Sequence, residues 1–220
     1  MKYYAVKAGR EPGIYESWTE CKEQTLGYSG AIFKAFTSRK DAEQYITQTT
    51  EKTPVKDNLP FAYIDGSFSK KRALYSWGGY INDHGRIYIL QGTGNAADYM
   101  QYRNITGEVR GALNVMQKAI ELGISEINLY YDYAGIEQWA DNRWKCKTQL
   151  SQFYKSYYEK RRDRLKINFI HVKGHTGIEG NEIADYLAKE AAGAKLRKKD
   201  IEVLKAFRAK ATTAAAYNEP

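Results

Sequence analysis

The chain has 220 residues, 43% hydrophobic and 27% charged, with a formal charge of +8 from 34 Lys and Arg against 26 Asp and Glu. That mixture excludes a disordered chain and leaves room for one good-sized core plus a small appendage, since domains run to about 100–150 residues. No run approaches the ~18 apolar residues of a membrane helix. The opening "MKYYAVKAGR" has no apolar signal segment, so a soluble cytoplasmic protein is expected.

The first ~46 residues read as a self-contained ββαβα unit. "KYYAVKAG" and "IYES" suit strands joined by the turn "REPG". Ser17 and Glu20 have capping-box spacing ahead of "WTECKEQTLG", which Gly27 is placed to end. "AIFKAF" suits a third strand and "TSRKDAEQYI" a second helix capped by Ser38. The polar stretch "TQTTEKTPVKDNLP", with Pro54 and Pro60 and no hydrophobic period, reads as a linker over 48–59. From Phe61, "FAYIDGSF", "YSWGGYIN" and "RIYILQGTG" form an expected antiparallel meander. In "GEVRGALNVMQKAIELG" the apolar residues keep helical spacing and Gly123 closes the helix. The strand "EINLYYDY", helices around "GIEQWA" and "LSQFYKSYYEKRRDR", the strand "LKINFIHV" and a helix from Asn181 follow. The order β-β-β-α-β-α-α-β-α predicts a five-stranded mixed sheet flanked by helices, an α/β architecture. Residues 194–220, with seven basic and three acidic side chains, read as a basic helical extension of the last helix or a solvated tail.

The basic balance favours a polyanionic partner, and 19 Tyr and 4 Trp supply rings that stack on sugars or bases as well as filling cores. Cys21 and Cys146 lack CxxC spacing and indicate neither a disulfide framework nor a zinc ribbon. His171 and His175, four apart in "HVKGHTGIEGNEIAD", have the residue types of a zinc site, but the strand before them and Gly174, Gly177 and Gly180 remove the helix such a site needs.

Carboxylates carry more. Asp65 interrupts an apolar strand, Glu108 opens a helix and Asp132 ends a strand. Singly, each has a plain reading: a turn with Gly66, the helix dipole, a helix cap. Four carboxylates, with Asp185, converging within ~4 Å repel by about 4 kcal/mol per pair at an effective dielectric of 20, which bound cations relieve. Oxygen-only ligands suit Mg2+ or Mn2+, and two such ions activate water for phosphodiester hydrolysis.

"YIDGSF", "GEVRGAL", "LYYDY" and "HVKGHTGIEGNEIAD" resemble, in order and spacing, the type I ribonuclease H family over about Phe61 to Ala192. The resemblance implies the ribonuclease H-like fold over 60–193 and endonucleolytic hydrolysis of the RNA strand of RNA/DNA hybrids with two Mg2+ ions, Mn2+ substituting. The ends would be 5′-phosphate and 3′-hydroxyl. It puts the metal-binding carboxylates on Asp65, Glu108, Asp132 and Asp185 and a mobile histidine on His175. It also puts nucleic-acid contacts on Asn104 and, for the ribose, on backbone groups around Gly66, Ser67 and Gly107, because Ile105 and Ala134 stand where amides are common. Thr148 is a phosphate ligand by the same analogy; Asn181 either bears on the second metal through water or caps the helix. Trp139 is expected in the core, with Trp144 open.

"YYAV..GR..GIY..W..C" followed by "FK.F" resembles the hybrid-binding domain found ahead of many such enzymes, here residues 1–47. That resemblance puts hybrid contacts on Tyr4, Trp18, Phe33 and Lys34, with Ala35 where a second lysine is common. The expectation is a monomeric endoribonuclease. Its rivals are a non-catalytic hybrid- or double-stranded-RNA-binding protein and a resolvase- or integrase-like nuclease of the same architecture.

Overall fold

The computed structural model describes residues 2–26, 28, 31–47, 58–174 and 177–211. The chain forms two compact units, one within residues 1–54 and one within 55–220.

In the first unit β1 (Tyr3–Ala8) is the centre of an antiparallel sheet in the order β2-β1-β3, with β2 at Gly13–Tyr15 and β3 at Ile32–Phe36. Helix α1 (Trp18–Thr25) starts as its sequence requires. Ser17 Oγ accepts from the Glu20 amide at 3.2 Å, while the Ser17 amide donates to Glu20 Oε2 at 3.1 Å, satisfying two N–H groups left open by a helix start. Arg10 donates to the carbonyls of Glu23 at 2.7 Å and Leu26 at 2.9 Å, closing the other end. Helix α2 (Arg39–Thr47) completes the unit, whose small core holds Ala5, Val6, Cys21 and Ala42. Gly27 and the linker up to residue 57 lie outside the described residues.

The second unit has the expected mixed sheet, in the order β6-β5-β4-β7-β8. Strands β4 (Phe61–Ser69), β5 (Leu74–Asp83) and β6 (Arg86–Gly94) form an antiparallel meander; β7 (Glu126–Tyr131) and β8 (Lys166–His171) add in parallel. Between β6 and β7 come a short α3 (Ala97–Met100), which has no apolar period to betray it, and α4 (Asn104–Glu121). Helix α4 begins three residues before Gly107. Helices α5 (Gly135–Ala140) and α6 (Gln149–Glu159) lie between β7 and β8.

Each sheet face has its own core. On one, Ile64, Val109, Leu113, Met116, Leu129, Ile136 and Leu150 pack together; on the other, Tyr80, Ile87, Ile183, Leu187 and Leu204 do. The second core is closed by α7 (Glu179–Ala191) and α8 (Lys198–Lys210).

The extension is helical over α8, but as a separate helix and not a continuation of α7; residues 212–220 lie outside the described residues. Gly193 adopts φ +70°, and the amides of Gly193 and Ala194 donate to the carbonyls of Glu190 and Lys189, at 2.9 and 3.0 Å. This left-handed terminus stops α7. The chain then returns: Phe207 meets Tyr80 edge-on at 4.7 Å, and Arg208 donates to Glu190 Oε1 at 3.0 Å. Because Leu204 is 1% exposed, Leu204→Ala is expected to cost about 2–4 kcal/mol by cavity formation, read as a lower denaturant midpoint with unchanged slope. A loss below about 0.5 kcal/mol would show that α8 is dispensable.

Candidate active site

The parallel strands β4 and β7 pair only over Phe61–Tyr63, with Tyr63 opposite Tyr130. Past that point they part, and the gap lies where open α/β sheets collect ligands. Asp65 comes from β4 just beyond the last pair, and Asp132 follows β7 directly.

Glu108 arrives because α4 crosses the sheet on glycine. A Cβ on Gly66 would lie 2.3 Å from the Asn104 carbonyl oxygen and 2.4 Å from the Glu108 amide, and one on Gly107 would lie 2.0 Å from the Ser76 oxygen. Only bare backbone permits that approach. On the other face α7 seats on Gly78, the cross-strand partner of Asp65, where a Cβ would meet the Ala188 amide at 2.1 Å. That contact brings Asp185 alongside.

Asp65, Glu108 and Asp132 each offer an oxygen within 4.8 Å of the others. The Gly66 amide donates to Asp65 Oδ1 at 2.6 Å and Glu108 Oε1 at 3.0 Å, so it serves the carboxylates and is not open to a ribose. Glu108 Oε2 is buried with no partner. Asp185 stands outside the trio. One of its oxygens takes a 2.6 Å hydrogen bond from Lys189, one helical turn on.

The electrostatics follow from burial. Desolvation chiefly, with Asp132 and Asp185 adding, outweighs the hydrogen bonds to Glu108 and Gly66, and the Asp65 carboxyl is pushed up to about 7. Glu108 is raised well above the usual range by burial, then by Asp65 and Asp132. Asp65 and Glu108 each hold the other's proton state, because two carboxyl groups buried this close do not both ionise without a cation between them. These oxygens, one orphaned, fit a hard divalent cation of the Mg2+ or Mn2+ type; among the described residues no thiol or imidazole joins the trio.

The remaining sequence candidates divide. Asn181 is buried inside the first turns of α7, whose N-cap is Ile178, so it is not a cap; its Oδ1 also lacks a partner. Such an atom calls for water or an ion. Asn104 is exposed as the first residue of α4, and Ser67 is half-buried on β4. The Thr148 hydroxyl is engaged as the cap of α6, accepting from the Ser151 amide at 3.2 Å. His175 lies outside the described residues. Trp139 is buried and Trp144 is exposed.

Two side chains not foreseen as site residues steady Asp185 and Asp132, one at the carboxylate and one at the backbone carbonyl. Lys189 follows Asp185 by four on one helix, a readable spacing. His171 Nε2 donates to the Asp132 carbonyl at 2.9 Å, fixing the end of β7; nothing in the linear sequence signals that contact.

In the first unit, Trp18 lies between Tyr4, at 5.7 Å, and Phe33, at 5.6 Å. With Trp18 47% and Phe33 41% exposed, these rings form a surface platform rather than a core. Lys34 does not join it. Phe33 pairs with Val6 and Lys34 with Ala5, so the two leave β3 on opposite faces, and Lys34 Nζ stands 5.4 Å from the Phe36 ring centre.

A family model described as RNase H matches residues 57–193, and one described as Ribonuclease H1 N-terminal domain matches residues 2–46. Ribonuclease H1 of Mus musculus is 24% identical over 253 residues, covering 86% of this chain and 89% of that protein. Ribonuclease H of Saccharomyces cerevisiae is 52% identical over 46 residues, 21% of this chain and 13% of that one. The solved N-terminal RNase H domain of rv2228c from Mycobacterium tuberculosis, a maltose-binding-protein fusion, superposes with a TM-score of 0.52 at 20% identity, covering 61% of this chain and 93% of that one, a likeness of fold alone. With a match over 137 of 220 residues, the chain belongs to the ribonuclease H family, with the ribonuclease H1 N-terminal domain ahead of it.

Proposed function

We propose that the protein is an endoribonuclease that hydrolyses the RNA strand of RNA/DNA hybrids, using divalent cations held by Asp65, Glu108, Asp132 and Asp185. The observation that carries this is the trio of carboxylates within 4.8 Å, with Glu108 Oε2 buried and unpartnered. Unrelieved, such a cluster is unfavourable; a pair of Mg2+ ions, or Mn2+ in their place, supplies charge neutralisation, activation of water and stabilisation of the leaving oxygen. Asp65, within 4.8 Å of both Glu108 and Asp132, would be shared between the ions when they bind. Glu108 and Asp132 would hold the ion that stabilises the leaving oxygen, and Asp185, steadied by Lys189, would help hold the one that activates water. No covalent nucleophile is needed, and the products are a 5′-phosphate and a 3′-hydroxyl. His175 assists proton transfer or product release.

Substrate choice tests the reading. Labelled RNA/DNA hybrid, double-stranded RNA and double-stranded DNA are compared in Mg2+ and in EDTA. Mg2+-dependent cutting of the hybrid alone is expected. Cutting of DNA instead would favour a resolvase-like enzyme, and binding without cutting a non-catalytic one.

The Trp18 platform supports hybrid binding by the first unit. Ring stacking is worth about 1–3 kcal/mol per base, so Trp18→Ala is expected to weaken hybrid affinity about tenfold while leaving the saturated cleavage rate of short hybrids unchanged. Anisotropy titration with single-turnover kinetics checks both; unaltered affinity would remove the platform from binding.

A further inference from the structure

The outer side of α4 and α6 carries a row of rings bounded by guanidinium groups. Phe153, Tyr157 and Arg161 recur every fourth residue along α6 and just past its end, so they share one face. Tyr99 of α3 extends the row: Tyr99 to Phe153 and Phe153 to Tyr157 are each 6.2 Å between ring centres. Arg110 of α4 stands 5.8 Å from the Tyr99 ring and 6.0 Å from that of Phe153. Arg161 covers Tyr157 at 3.4 Å.

This row is separate from the carboxylate cluster. Arg110 follows Glu108 by two residues, about 200° around the helix, so it points away from the carboxylates. Nor does it share a residue with the Trp18 platform.

Two features point to a ligand class. Phe153 is 38% exposed, and the ring pairs are tilted by 35° and 52°, so the rings do not spend their faces on parallel stacking with one another. The charge is one-sided: between Gln149 and Lys166 six basic side chains stand against two acidic ones, and Lys160, Arg162 and Arg164 are exposed.

We propose that this row is a track for single-stranded nucleic acid, which takes the unpaired flank of a hybrid. Bases stack on the exposed Phe153 ring, on the uncovered edge of Tyr99 and on the Arg161 guanidinium that lies over Tyr157, while Arg110 and the exposed cations meet phosphates. Stacking tolerates any base, so the track adds affinity for a flank without choosing its sequence. The identity of the duplex part rests on the reading above; the track itself does not.

The test uses the full chain in EDTA, which prevents cleavage, and fluorescence anisotropy on three probes: a blunt hybrid, the same hybrid with a short single-stranded DNA extension, and the single strand alone. The extension is expected to tighten binding by about tenfold, a gain lost in Phe153→Ala and in Arg161→Gln. Cleavage of the blunt hybrid in Mg2+ stays unchanged in both variants, which also reports their folding. If the extension gives no gain, or the gain survives both substitutions, the track is refuted. Single-strand binding through Phe153 by a protein that leaves hybrids uncut would keep the track and refute the nuclease reading.

Discussion

Asp132→Asn is expected to abolish cleavage of RNA/DNA hybrid in Mg2+, lowering the single-turnover rate by at least about 10^3-fold, or about 4 kcal/mol of transition-state stabilisation. The substitution is close to isosteric. It leaves the Asp132 carbonyl, and therefore its bond from His171, untouched. What changes is charge: the trio loses one of three groups able to balance a divalent cation. Hybrid affinity in EDTA should stay within about threefold, because phosphate and base contacts supply nucleic-acid binding and no carboxylate favours a polyanion. Rapid-quench kinetics on end-labelled hybrid and an anisotropy titration separate the two effects. Wild-type cleavage by Asp132→Asn would end the site assignment.

The architecture was legible because local and tertiary preferences agree. Ser17 and Glu20 announce a helix start that the structure makes by the hydrogen bonds their spacing permits. The period of α4 matches the face it buries, and the apolar run of β5 matches a central strand covered on both faces. The separate α8 was hidden in part because the extension has few apolar residues, and Leu204 and Phe207 acquire meaning only against Tyr80 and Leu187. At the site, acidic residues at costly positions were readable from sequence, whereas their convergence depends on Gly66, Gly78 and Gly107, whose closeness to other backbone no linear pattern reveals. Asp185 was expected as an equal member, yet its tie to Lys189 sets it apart from the trio. Thr148 offered a hydroxyl that the fold spends on capping α6. Lys34 follows Phe33 by one residue, and strand alternation alone sends it to the other face.

Glu108→Gln is expected to remove cleavage as completely as Asp132→Asn while making the metal-free protein more stable. The Glu108 carboxyl is fully buried beside Asp65, with Oε1 accepting from the Gly66 amide and Oε2 without a partner. A glutamine amide keeps the acceptor for Gly66 and places a permanent N–H donor beside Asp65. The gain has a pH signature. The Asp65 carboxyl titrates near 7 in the folded chain against an unfolded value of 3.8, so the folded state holds its proton more tightly. Stability from this group is full below about 4 and lost as pH rises through about 7. Metal-free wild type therefore loses stability between pH 4 and 8, and Mg2+ restores it most at the upper end, where ligand carboxylates are ionised. In Glu108→Gln the loss should shrink because one buried charge is gone, giving a melting temperature at pH 8 about 3–6 °C above metal-free wild type, for about 1–2 kcal/mol. Mg2+ should raise it little further. Scanning fluorimetry of both proteins at pH 5 and pH 8, with Mg2+ and with EDTA, reads all eight melting temperatures. A less stable variant at pH 8 would mean that the Glu108 charge is already compensated within the fold. The carboxylate trio would then be a structural network in which no cation is needed, and the buried, unpartnered Oε2 of Glu108 would have no functional counterpart.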